Sequence, residues 1–169
     1  MNKPIHEFFS KDHRRIEILL DQATADPDQI QMDYYHQFRV GILTHIKMEE
    51  TLLFPAAQKA NNGQPLPIAG KLRLDHGAIT AMMAVPPTPE LIKVIRYILD
   101  KHDILEEEPG GMYDICEMLT KDQTDSLLKK LHQTTAVPVH PINTSPSVFA
   151  ATIRALARAG YDYDTLSKR

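Results

Sequence analysis

The chain has 169 residues, 43% hydrophobic and 24% charged, with a formal net charge of −3; this is enough for one domain with a real core, excludes a disordered composition, and argues against strong generic attraction to nucleic acid. No apolar run approaches the roughly 20 residues of a membrane span, and Met1-Asn2-Lys3-Pro4 opens straight into a helical pattern, which predicts a cytoplasmic protein. Cys116 is the only cysteine, excluding an intrachain disulfide and a thiolate zinc site.

The first predicted helix, near residues 4 to 25, carries Phe9, His13, Ile16 and Leu20 at intervals of three or four, the spacing of a core-facing stripe. Its basic run Lys11, Arg14, Arg15 reads as a solvated face, and Asp26-Pro27-Asp28 ends it. The second, near 33 to 60, carries Phe38, Ile42, His45, Glu49, Leu52 and Ala56 and stops at Asn61-Asn62-Gly63-Gln64-Pro65. The third, near 68 to 84, carries Ala69, Leu72, His76, Ile79 and Met83 before Pro86-Pro87-Thr88-Pro89. The fourth, near 89 to 107, carries Leu91, Ile95, Ile98, His102 and Leu105, with Glu106 one turn after His102.

Glu108-Pro109-Gly110-Gly111 predicts a kink or break, because a mid-helix proline costs about 3 kcal/mol or more. Met112 to His132 then reads as the displaced continuation of the fourth helix. Val137 to Pro146 reads as a linker, and a last helix starts at Ser145-Pro146 and stops at Gly160. That helix is expected to pack on the bundle or on a second copy of the chain, as a homodimer. The predicted fold is therefore all-α: an up-down-up-down four-helix bundle over residues 1–133 with a broken fourth helix, and a proline-containing linker plus short C-terminal helix over 134–169.

Histidines stand where leucines would complete these stripes: His13, His45 with Glu49, His76, and His102 with Glu106. Desolvating an unpartnered imidazole or carboxylate costs roughly 2 to 7 kcal/mol, against a total stability of about 5 to 15 kcal/mol. The four histidines fall close to the middle of their helices, so an antiparallel bundle brings them to one depth. Metal ions are the common partner that satisfies them together. Four histidines and two glutamates divided between two ions supply each with two nitrogens and two oxygens, and an oxo or hydroxo bridge makes each five-coordinate, leaving a position open for a small ligand. Mixed nitrogen and oxygen ligation without thiolate suits iron or manganese, with zinc as the alternative.

The order histidine, His45-Ile46-Lys47-Met48-Glu49 followed by Phe54-Pro55, Asp75-His76 and His102-Asp103-Ile104-Leu105-Glu106 resembles the hemerythrin-like proteins of the HHE cation-binding family over residues 1 to about 130. The resemblance implies a four-helix bundle around a carboxylate-bridged, non-haem di-iron centre. Members carry or sense oxygen, respond to nitric oxide or oxidative stress, or handle iron. Oxygen-carrying hemerythrins have two histidines one turn apart on the third helix, whereas Leu72 and Thr80 flank His76 here. One missing nitrogen ligand fits sensing, nitric oxide or peroxide chemistry better than oxygen transport.

The favoured reading is thus a module that binds or senses a small oxidant (oxygen, nitric oxide or peroxide). The alternative is a di-iron enzyme or iron-handling protein consuming peroxide, oxidising iron or donating it; ferritin-type oxidases, however, use a glutamate-x-x-histidine spacing that this chain lacks. Neither nucleic acid nor membrane is an expected partner. Among the remaining residues, Glu17 reads as a surface group paired with Arg14 before it reads as a ligand. Glu50, Glu107 and Glu108 read as solvated, with Glu107 the substitute ligand should Pro109 rewind the helix. Asp12 and Asp75, which precede ligand histidines, are candidates to support the site from outside. Tyr97 and Tyr113 read as packing groups; His6, His36, His132 and His140 lie away from the stripe.

Overall fold

The computed structural model describes residues 2–169, and these are all-helical, 71% helix without a strand. In chain order the elements are α1 (Pro4–Ala23), α2 (Met32–Met48), a π-helical turn (Glu49–Leu53), α3 (Phe54–Ala60), α4 (Ala69–Met82), α5 (Pro89–Glu107), α6 (Met112–Leu119), a 3-10 turn (Lys121–Gln123), α7 (Thr124–His132), α8 (Pro146–Arg158) and α9 (Tyr163–Leu166). The chain divides into two compact units, one of residues up to Ala69 with Leu105–Pro138, the other of Gly70–Ile104 with Val139–Arg169. Among the described residues no helix is long and apolar enough to cross a membrane.

In the first unit, α1 begins on a proline, whose missing N–H costs nothing in a first turn. Lys3 gives no side-chain cap; Glu117 of α6 replaces it, its Oε2 accepting from the backbone N–H of Ile5 at 2.8 Å and of His6 at 3.0 Å. A carboxylate there also favours the positive end of the helix dipole. The buried face of α1 holds Ile5, Phe9, His13, Ile16, Leu20 and Ala23, the stripe expected from its period, and it packs on α2, α6 and α7.

Beyond Glu49 the expected stripe slips. Leu52 and Ala56 are only half-buried, and Leu53, Phe54 and Ala57 face the core instead. Pro55 has no N–H to return to Thr51, and its ring crowds that carbonyl. The N–H of Phe54 reaches the Glu49 carbonyl, an i to i+5 bond that inserts one residue into the turn. One extra residue turns everything after it by about 100°.

The break after α5 falls where Pro109 placed it. Gly110 takes φ 82°, and Gly111 sits where a Cβ would come within 2.8 Å of the carbonyl oxygens of Leu105, Glu106 and Glu108. Only glycine fits this corner, which starts α6 and packs it on α1 and α3. In the second unit, α8 starts on Pro146 after Ser145 and is followed by Gly160 at φ 90°. Thr152 Oγ1 donates to the Ala81 carbonyl at 3.1 Å, and the N–H of Asn143 donates to that of Ala84 at 2.8 Å. The C-terminal helix is thereby tied to the end of α4.

Candidate metal centre

Four of the six sequence candidates meet inside the first unit. His13 from α1, His45 from α2, Glu49 from the first residue of the π turn and Glu106 from the last turn of α5 each present a donor atom, all within 4.8 Å of one another. None is more than 5% exposed. His13 Nε2 lies 3.4 Å from Glu106 Oε2, and His45 Nε2 lies 3.3 Å from Glu49 Oε1. The π turn begins at Glu49 itself, so the helix is underwound immediately beyond a candidate ligand; π turns concentrate at functional sites.

The other two candidates, His76 of α4 and His102 of α5, meet within the second unit, where their Nε2 atoms are 3.2 Å apart and both rings are buried. His102 and Glu106 lie one turn apart on α5.

Acidic groups behind the rings set their orientation. Asp12 Oδ2 accepts from His45 Nδ1 at 2.8 Å, Glu107 Oε1 from His13 Nδ1 at 2.5 Å, and Asp75 Oδ2 faces His102 Nδ1 at 3.5 Å. A proton held on Nδ1 leaves the Nε2 lone pair for a cation, the usual arrangement behind metal-bound histidine. The aspartates each serve a neighbouring helix's histidine rather than the one that follows them in sequence. Burial opposes ionisation of Asp12, but the hydrogen bond and charge of His45, with Arg15, hold its carboxyl below the usual value. Burial likewise opposes, and His13, Arg14 and His6 outweigh, at Glu107. Asp75 is lowered against its burial by His102 and by Lys71, whose Nζ lies 2.5 Å away.

Removing this support is expected to loosen the site without unfolding it. Asp12→Ala should weaken divalent-metal binding by about 10- to 100-fold, measured by competition with a chromophoric chelator, while the far-ultraviolet circular dichroism stays unchanged. Equal affinity would show that Asp12 does not orient His45.

Tyr113, read from sequence as a packing group, belongs to the centre. Its buried hydroxyl donates toward Glu49 Oε1 at 2.7 Å and Glu106 Oε2 at 2.9 Å, and lies 3.1 Å from His13 Nε2 and 3.2 Å from His45 Nε2. Burial and the charges of Glu106 and Glu49 push the phenol well above its ordinary value. A sequence signal existed, since Tyr113 follows Glu106 by seven residues, two helical turns; the break at Pro109 hides it. Cys116 is buried, and burial with the charges of Glu49 and Glu106 pushes its thiol up, so it offers no thiolate.

The remaining groups lie elsewhere. Glu17 is exposed, with its carboxylate 3.5 Å from Arg14. Glu107, expected in solvent, is half-buried because it bonds His13. His6 bonds the Glu107 carbonyl at 3.0 Å, His36 and His140 are exposed, and His132 packs edge-on against Phe8. Tyr97 packs near Tyr161 and under Arg169.

The donor set could hold a metal ion: two imidazole nitrogens and two carboxylates, desolvated together, with a proton acceptor behind each ring. Neither a family model, nor a curated protein, nor a solved structure matches the chain.

Proposed function

We propose that this chain is a non-haem di-iron protein that binds or senses a small oxidant: oxygen, nitric oxide or peroxide. The observation that carries the reading is the buried tetrad His13, His45, Glu49 and Glu106, with its donor atoms within 4.8 Å of one another. Two buried carboxylates so close together repel unless a cation lies among them. Iron is favoured over zinc because nitrogen and oxygen donors without thiolate form the set, with manganese the nearest competitor. The second ion and the carboxylate-bridged, four-helix-bundle form of the site rest on the sequence order histidine, His45/Glu49, histidine, His102/Glu106 and on its resemblance to the HHE family.

When bound, iron supplies a redox-active centre to which a small oxidant can add. The chain's own residues hold Glu49 and Glu106 in place through Tyr113, present His13 and His45 through their Nε2 atoms, and keep bulk water out. Sensing is favoured over carriage because Leu72 and Thr80, rather than a fifth histidine, flank His76.

Anaerobic loading with ferrous iron tests this directly. Two irons per chain are expected, with a visible spectrum that changes on separate addition of oxygen, nitric oxide or peroxide. One iron per chain would confine the site to the tetrad. No retained iron would sink the metal reading, and turnover of peroxide would move the protein to the enzyme class.

A further inference from the structure

Resting on the metal reading above, we infer that Tyr113 is itself a metal ligand, its phenolate oxygen completing the set formed by His13, His45, Glu49 and Glu106. The phenol oxygen lies within 2.7 to 3.2 Å of a donor atom on each of those four residues. A phenol has one proton to give. With the Nδ1 atoms of His13 and His45 facing Glu107 and Asp12, the two Nε2 atoms and two carboxylate oxygens around the phenol present the lone pairs that a cation takes.

An ion bound by the four donors at about 2.0 to 2.2 Å must lie beside the phenol oxygen, so that oxygen either ligates the ion or leaves. The surroundings forbid leaving. Tyr113 is fully buried, stacked on Phe9 with centroids 5.1 Å apart and planes 26° apart, and its ring is met edge-on by His6 at 5.8 Å. Its helix begins at the Gly111 corner, where an added Cβ would come within 2.8 Å of the carbonyl oxygens of Leu105, Glu106 and Glu108. The ring stays, and its oxygen takes a coordination position while the phenol proton passes to solvent. One position fewer is then open to an incoming oxidant at that ion.

An iron-bound phenolate absorbs in the visible by charge transfer from the ring to ferric iron, which provides a readout independent of activity. The test loads the full chain with ferrous iron, oxidises it in air, and records resonance Raman spectra within the visible band, in protein made with ordinary and with ring-deuterated tyrosine. The expected result is enhanced phenolate ring modes that shift on deuteration and disappear in Tyr113→Phe, a ligand deletion expected to weaken iron binding by about tenfold or more and therefore loaded at higher iron concentration to the same iron content. Bound ferric iron without such modes, or modes that persist in Tyr113→Phe, would overturn the ligand assignment and leave the metal reading standing. No iron in the wild type would overturn both. Because the deuteration experiment uses the wild-type sequence, absence of a tyrosine phenolate on bound ferric iron would overturn the assignment whether or not the variant folds, and Tyr113→Phe decides which of the 6 tyrosines supplies it.

Discussion

Glu106→Ala is expected to lower iron affinity by about a hundredfold or more. The removed group is a buried carboxylate in direct reach of His13 and Tyr113, and even groups one layer behind a metal ligand are worth about 10- to 100-fold in affinity. After anaerobic loading and desalting, metal analysis should find iron in the wild type and little in the variant. A thermal readout follows from linkage: an ion present at about 100 times its dissociation constant stabilises the folded state by about 2.7 kcal/mol. At roughly 2 to 4 °C per kcal/mol for a chain of this size, the wild type should gain about 5 to 11 °C on metal addition, and Glu106→Ala should gain almost nothing. Glu17→Ala is the control, because that exposed carboxylate pairs only with Arg14 among the ion pairs described and should leave both readouts unchanged. Undiminished iron in Glu106→Ala would remove this residue from the site.

Phe9→Ala should produce the largest loss of stability in the metal-free protein. Phe9 is fully buried on α1, with Phe8, His45 and Tyr113 against its ring at 5.1 to 5.3 Å. Truncating a buried phenylalanine costs about 3 to 5 kcal/mol, combining lost transfer free energy with the cavity left behind, or a fall of about 6 to 20 °C in Tm. Phe9→Leu keeps apolar volume in place and should cost clearly less. The cavity would also free the rings of Tyr113 and His45, so metal affinity should fall in Phe9→Ala at temperatures where it remains folded. Thermal unfolding of the two metal-free variants checks the packing account; a drop below about 2 °C for Phe9→Ala would contradict it.

Local signals read well from the sequence because their physics is local. The helix starts at Pro4, Pro89 and Pro146, the break at Pro109 and the stop at Gly160 all follow from backbone chemistry within a few residues. The stripes that single out His13, His45, Glu49, His76, His102 and Glu106 follow from the 3.6-residue period alone, and all six side chains are buried.

Wherever partners come from distant parts of the chain, the tertiary structure decided. Asp12 serves His45 across 33 residues, and Glu107 serves His13 across 94; no period connects them, because which helix faces which is not encoded within one turn. The slip of the buried face from Leu52 and Ala56 to Leu53 and Ala57 required the π turn, whose extra residue changes the period that the sequence reading assumed. The histidines and glutamates were legible as a polar stripe that needs a partner, since burial of each is a property of its own helix. That four of them surround the oxygen of Tyr113 was not, because a packed core brings together atoms that the chain keeps up to 100 residues apart.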